Sequence, residues 1–268
     1  MAPIPAPARD QGKEMRIRVL GCSGGIGGSL RTTSLLVDDD ILVDAGTGVG
    51  DLSLESLARI DHVFVSHSHL DHITSIPFLV DTVCWMRSRP LVVYGIRETL
   101  DILRAHIFNW KVWPDFTQIP DPQRPCMVYR EIGVGEAVEL GNRRFTAFPA
   151  NHTVPAVGYA LEGPRAALVY TGDTGVNDAL WEVVNGMAKL EYLIIETAFS
   201  NKERDIALAS KHLYPQLLAQ ELAKMKGRPE VFVTHLKPGE GALTMKEIAE
   251  AAGHWSPRRL ENHQEFSL

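Results

Sequence analysis

Apolar residues in this chain come mostly in short runs that end on glycine or polar residues, and a smaller number of stretches repeat at helical spacing. Arg16-Ile17-Arg18-Val19-Leu20-Gly21 alternates and predicts a strand. Residues 29–37 predict a second strand, Asp38-Asp39-Asp40 a hairpin turn, and residues 41–44 a third strand ending at Asp44. Helical spacing follows over residues 52–60. Val63-Phe64-Val65 reads as the end of a buried strand, residues 74–83 as a helix beneath it, residues 91–95 as another strand and residues 98–107 as a helix. Strands resume over residues 127–131, 137–140 and 144–149, with further buried strands at residues 166–170, 190–196 and 230–234. An amphipathic helix is predicted from Ser210 to about Met225. Strands first, then helices alternating with strands, is the order of an α/β protein.

The ends of these strands carry the chemistry. Ser66-His67-Ser68-His69-Leu70-Asp71-His72 follows the strand at residues 63–65, so its imidazoles and carboxylate emerge together. Side chains two apart in extended chain share a face, so His67 and His69 can close on one ion, while Asp71 and His72 point toward a second. The alternative is that these polar residues cap the helix starting near Ile73, but Asp71 alone would suffice for that. His152 and Asp173 also stand just after strands, and Glu196 and His235 occupy comparable positions. A carboxylate beside glycines, as in Thr171-Gly172-Asp173-Thr174-Gly175, can bridge two cations with its two oxygens. Asp44 either caps a helix or hydrogen-bonds a ligand histidine, and the second reading is adopted here. His62, His106, His254 and His263 lack such a setting and read as solvated or core residues.

Two segments need a choice between readings. Cys22-Ser23-Gly24-Gly25-Ile26-Gly27-Gly28 follows a strand, as a phosphate-binding loop would, but a strand comes next where such a loop needs a long helix. The glycines are read as letting backbone pass close to the site, and a phosphate cradle of N–H groups is the lesser reading. Residues 108–125 interleave aromatics with prolines and form no long regular element. They are a packed surface excursion, a lid that could stack a flat base, or the arm of a homodimer.

Bulk properties narrow the class. A length of 268 residues with 45% hydrophobic content supports one full core over residues 15–268, after an Ala/Pro-rich leader at residues 1–14 that is expected to be disordered. That leader lacks the apolar centre of a signal peptide, and no stretch reaches the ~20 apolar residues of a membrane span. A net charge of −6 without a long Lys/Arg run argues against extended nucleic acid as partner, and leaves room for a small anionic substrate held by metals. Cys22, Cys84 and Cys126 show no paired spacing, so neither a disulfide framework nor a thiolate zinc site is expected, and a reducing cytoplasm fits.

Taken in order, His67-Ser68-His69-Leu70-Asp71-His72, His152, Asp173 and His235 resemble the metallo-β-lactamase superfamily, and the likeness runs over nearly the whole chain after the leader. The resemblance implies a four-layer αββα sandwich with a two-metal site on one edge. His67, His69 and His152 would then hold one divalent ion, Asp71, His72 and His235 the other, with Asp173 bridging. The ions would be zinc, with manganese or iron also suited to these ligands. Redox members carry a glutamate where this chain has His69, which disfavours a diiron module. Within the superfamily, the quoted motif together with Asn151-His152-Thr153-Val154-Pro155, Glu196-Thr197 and His212-Leu213-x-Pro215 looks most like the class II cyclic-nucleotide phosphodiesterases. Lys211 and Tyr214 depart from that pattern, which has glycine and threonine there. The resemblance implies phosphodiester hydrolysis, of 3′,5′-cyclic nucleotides such as cAMP, by a metal-bound hydroxide, with Asp71 orienting the water and His212, held by Glu196, protonating the leaving group. The alternatives are a thioester or lactone hydrolase on the same scaffold, a nuclease like those that process transfer-RNA 3′ ends, although the basic arm those carry is not visible, and a non-catalytic nucleotide sensor.

Overall fold

A strand that is apolar on both faces has to be covered on both, and this chain covers its strands by stacking two sheets face to face and laying helices on the outside. The structure is a computed structural model that describes residues 14–268. The expected leader therefore lies outside the described residues, except for Glu14. One seven-stranded sheet has the order β14-β1-β2-β3-β4-β5-β6, with β1 (Arg16–Gly21), β2 (Ser34–Val37), β3 (Ile41–Val43), β4 (His62–Phe64), β5 (Leu91–Gly95), β6 (Met127–Glu131) and the C-terminal β14 (Glu265–Ser267). The other, also seven-stranded, has the order β13-β12-β11-β10-β9-β8-β7. It holds β7 (Ala137–Leu140), β8 (Arg143–Ala150), β9 (Ala156–Glu162), β10 (Ala167–Tyr170), β11 (Leu190–Glu196), β12 (Glu230–Thr234) and β13 (Arg258–Arg259).

Both sheets follow one plan. Pairing is antiparallel up to β3 in the first and up to β10 in the second, and parallel from there on. Parallel neighbours need a crossover, and the helices supply it: α1 (Leu54–Arg59), α2 (Leu70–Ile73), α3 (Ser75–Val83) and α4 (Arg97–Ile102) on the first sheet, and α5 (Asp178–Gly186), α6 (Arg204–Ala209), α7 (Pro215–Leu222) and α8 (Gly241–Ala252) on the second. Because β3, β4, β10, β11 and β12 are all followed by loops at their C-terminal ends, those loops meet along one edge of the sandwich.

The period of two sorts the strand residues between layers. Ile17, Val19, Phe64, Tyr94, Phe145, Tyr159, Tyr170, Ile194 and Phe232 fill the space between the sheets. Leu42, Val63 and Val93 turn to the helices of the first half, and Val169, Leu193, Ile195, Val231 and Val233 to those of the second. This is an αββα sandwich. At its centre Phe64 stacks between Tyr94 and Phe145, each 4.5 Å away between centroids, and meets the edge of Tyr159 at 5.7 Å. Among the described residues no helix is long and apolar enough to cross a membrane.

Several expectations are corrected. Only Ser34–Val37 of the second predicted strand is regular, because the stretch before it forms isolated bridges to other loops. The helix expected over residues 98–107 is α4 followed by a π-helical turn, Leu103–Ile107. The one expected from Ser210 begins only at Pro215, where proline suits the first helical position. His212 thus lies in the connection between α6 and α7. Strands β9, β13 and β14 and helices α5, α6 and α8 are not among the elements expected from sequence. Within residues 108–125, Phe108 and Phe116 are buried in the first outer core and Trp113 packs on Phe78 at 5.3 Å, while Trp110 and Val112 are exposed. Cys84 and Cys126 form a disulfide with Cα atoms 5.2 Å apart, contrary to the expectation of unpaired cysteines; 42 residues separate them, so the pairing is a product of tertiary structure. The cysteine argument for a reducing compartment falls with it.

The central aromatic stack carries a direct consequence. Phe64→Ala should lower the free energy of unfolding by about 3–5 kcal/mol, measured by urea denaturation, and a loss below about 1 kcal/mol would show that the ring is not a keystone of the inner core.

Candidate metal centre

The site begins with Asp44 at the end of β3. Its carboxylate has no exposure to solvent, and a buried charge needs donors around it. It accepts hydrogen bonds from the Ser66 backbone N–H at 2.7 Å, from Ser66 Oγ at 2.7 Å and from Tyr170 Oη at 2.8 Å, and it pairs with His72 Nδ1 at 2.7 Å. Asp44 thus hydrogen-bonds a candidate ligand histidine, the reading adopted for it above. Its backbone φ of +55° is left-handed, a strained region that Asp tolerates better than most residues. Ser66 Oγ also lies 3.0 Å from His67 Nδ1, and the Tyr159 hydroxyl donates to Val65 O at 2.9 Å, so the loop after β4 is held from both sheets.

That loop delivers His67 and His69, and α2 delivers Asp71 and His72. Residues from the second sheet close around them: His152 after β8, Asp173 after β10 and His235 after β12. The loop carrying Asp173 needs glycine at 172, where φ is +61° and an added Cβ would sit 2.8 Å from Val157 O. Two groups of ligand atoms result, each with every atom within 4.8 Å of the others: His67, His69, His152 and Asp173, and Asp71, His72, His235 and the same Asp173. Asp173 Oδ2 lies 3.7 Å from His67 Nε2 and 3.4 Å from His72 Nε2, and Oδ1 lies 3.2 Å from His235 Nδ1. His152 Nε2 is 3.1 Å from His69 Nδ1, and His235 Nε2 is 3.7 Å from Asp71 Oδ2.

Whether these residues suit a cation can be tested on their unmet needs. Among the described residues His67 Nε2, His72 Nε2 and His235 Nδ1 are buried without a hydrogen-bond partner, and all face Asp173. Leaving such atoms unsatisfied costs about 1–3 kcal/mol each, and a cation beside the carboxylate would satisfy them. Protonation states point the same way. Burial holds His67 and His235 well below the usual histidine range and pushes His152 down to about 4, so each offers a lone pair. His72 is the exception. Burial presses it down too, but Asp173 and Asp44 outweigh burial and hold its proton well above that range, so a cation would displace a proton there. Burial works against the charge of Asp173, yet His235 and His72 hold its carboxyl well below the usual range.

A second pair of residues adjoins these imidazoles. Glu196, at the end of β11 and without solvent exposure, lies 2.7 Å from His212 Nδ1 and accepts from the Thr174 and Leu213 N–H groups at 3.0 and 3.3 Å. The His212 ring is 4.9 Å from that of His152 and 5.2 Å from that of His235. Burial lowers the His212 pKa and the Glu196 carboxylate raises it, and the carboxylate prevails. Ser66, Tyr170, Thr174 and Lys237 had not been singled out from sequence, since nothing in a strand-end tyrosine or a lone lysine distinguishes it from packing or surface. His106, His254 and His263 are exposed and His62 sits at the far, N-terminal end of β4, outside both groups.

Residues 39–260 match the family model described as beta-lactamase superfamily domain. The chain belongs to that superfamily. A probable 3′,5′-cyclic-nucleotide phosphodiesterase of Yersinia pestis is 28% identical over 205 residues, 67% of this chain and 57% of that protein. A ribonuclease Z of Methanopyrus kandleri is 28% identical over 164 residues, 57% of this chain and 52% of that protein. This superfamily member therefore spans a little over half the length of these curated relatives. The crystal structure of the metallo-beta-lactamase fold protein YhfI from Bacillus subtilis matches it with a TM-score of 0.75 at 20% identity, covering 96% of this chain and 100% of that one, which is a likeness of fold.

In this beta-lactamase superfamily member Asp44 orients His72 without belonging to either group. Asp44→Asn should therefore weaken metal binding by about 10- to 100-fold, read by competition with a chromogenic chelator. Affinity equal to that of the unsubstituted protein would remove Asp44 from that role.

Proposed function

We propose that the chain is a metal-dependent phosphodiesterase acting on a small anionic substrate, a 3′,5′-cyclic nucleotide such as cAMP. The observation that carries the reading is the shared carboxylate: Asp173 belongs to both ligand groups. His67, His69, His152 and Asp173 would hold one divalent ion, and Asp71, His72, His235 and Asp173 a second, with zinc, manganese and iron all suited to nitrogen and oxygen donors. Such a pair, when bound, supplies Lewis-acid stabilisation of phosphoryl charge and a reactive water at neutral pH. The relatives named as a cyclic-nucleotide phosphodiesterase and as ribonuclease Z support attack on a phosphodiester. The net charge of −6 and the lack of a Lys/Arg run favour a small diester over a long RNA.

The chain's own residues do the rest. Asp71 is the more open of the two carboxylates, with 28% of its side chain accessible against 3% for Asp173, so it can accept a hydrogen bond from the attacking water and fix its direction. His212 gives Nδ1 to Glu196, which leaves Nε2 to present a proton to the departing alkoxide. Glu196 is locked by two backbone N–H groups, so it holds the imidazole in that tautomer and orientation.

Two measurements test this reading. His212→Ala should lower turnover of a cyclic nucleotide by about 10²–10⁴-fold and that of bis(4-nitrophenyl) phosphate far less, since nitrophenolate leaves without a proton; equal losses on both would exclude His212 as the acid. His69→Ala should abolish hydrolysis and reduce the bound metal found by mass spectrometry, whereas a fully loaded, fully active variant would refute the ligand assignment. A side-by-side assay with a thioester separates phosphoryl from acyl transfer.

A further inference from the structure

The glycine-rich segment at residues 22–28 has the look of an anion cradle, but the N–H groups of its first half are spent. Those of Cys22 and Ser23 donate to Arg31 O at 3.1 and 2.9 Å, and that of Gly24 donates to Leu236 O at 3.1 Å. Glycine is needed at 24 for a different reason. A Cβ there would lie 2.5 Å from His235 O and 2.9 Å from its ring Cδ2, so the loop is pressed against the residue that closes the second ligand group. From that position Gly24 offers its carbonyl outward, and Lys237 Nζ donates to it at 2.9 Å.

Lys237 is placed unlike the other lysine nearby. Lys211 donates Nζ to His152 O at 2.9 Å and is exposed, so it braces the backbone of a candidate ligand. The Lys237 ammonium lies 3.3 Å from His235 Nε2 and 6.0 Å from the centre of the Phe199 ring, which is itself 5.7 Å from the ring of His212. Among the described residues it forms no ion pair with a carboxylate. An ammonium has three N–H donors, and a neutral carbonyl and an imidazole leave its charge uncompensated. It is half-buried, beside His235 of the second candidate ligand group and one aromatic ring away from His212.

We infer that Lys237 binds a non-bridging phosphoryl oxygen of the substrate and the phosphate of the monoester product, with the Gly24 carbonyl holding the ammonium in position. The inference deepens the phosphodiesterase reading and rests on it. A charge-assisted contact of this kind is made to the phosphate in ground state and product alike, so its loss weakens binding more than turnover. A monoester product, carrying more negative charge than the diester, would gain more from it.

The test uses metal-loaded protein, with metal content measured in each variant, and compares the unsubstituted chain with Lys237→Gln and Lys237→Arg. Lys237→Gln should raise KM for bis(4-nitrophenyl) phosphate and the dissociation constant of inorganic phosphate by about 10- to 100-fold, with a smaller change in kcat, and Lys237→Arg should recover part of the loss. Unchanged phosphate affinity in a fully loaded Lys237→Gln protein overturns the assignment. So does loss of metal from that variant, because Lys237 would then be supporting His235. If the unsubstituted protein hydrolyses no diester, the phosphodiesterase reading fails on its own; the phosphate titration still decides whether Lys237 is an anion-binding residue.

Discussion

A carboxylate shut away from water must be satisfied where it stands, and Asp44 is satisfied by donors drawn from both sheets. Ser66 and His72 come from the loop and helix after β4, while Tyr170 comes from the end of β10 in the opposite sheet. The same contact therefore joins the halves of the sandwich and aims a candidate ligand. Had Asp44 faced solvent, its partners would compete with water and the His72 ring would be free to turn. Burial makes each bond count and makes a missing one expensive.

Around this anchor the fold concentrates groups that burial would otherwise forbid. Asp44, Asp173 and Glu196 have 2% exposure or less, and each is paired with imidazole. His67, His152 and His235 are held neutral by the same burial, so a cluster of titratable groups reaches neutral pH as an array of lone pairs around carboxylates. That is an environment into which a cation fits and from which protons are already largely absent. Among the candidate ligands, His72 is the one held toward its protonated form, because Asp173 and Asp44 face it.

The sandwich also explains why the rim differs from the floor. Its floor is built at strand ends, where pairing in the sheets fixes the backbone, while the rim is built from the connections at residues 22–28, 197–203 and 210–214. Positive φ angles occur at Asp44, Lys211 and His235, so strain is accepted where side chains must converge. The disulfide between Cys84 and Cys126 lies away from this convergence, tying the end of α3 to the start of β6 and closing the aromatic and proline segment behind the first outer core.

Strand positions were legible because alternation and short apolar runs are local properties: β1 alternates, β3 to β8 and β10 to β12 stand out as short runs bounded by glycine or polar residues, and the candidate ligands could be picked out because they stand just past such runs. The sequence by itself also determined that Asp71 and His72 part from His67 and His69, since a helix follows an extended turn there. It did not determine where the helix after His212 begins, that Cys84 meets Cys126 across 42 residues, that Tyr170 reaches from one sheet to a carboxylate in the other, or that Gly24 holds Lys237. Those are contacts between residues distant in the chain, and nothing in their own neighbourhood encodes them. Only the stacking of the two sheets, set by burial of the apolar strand faces, brings the loop ends within a few ångströms and decides which polar atoms find partners.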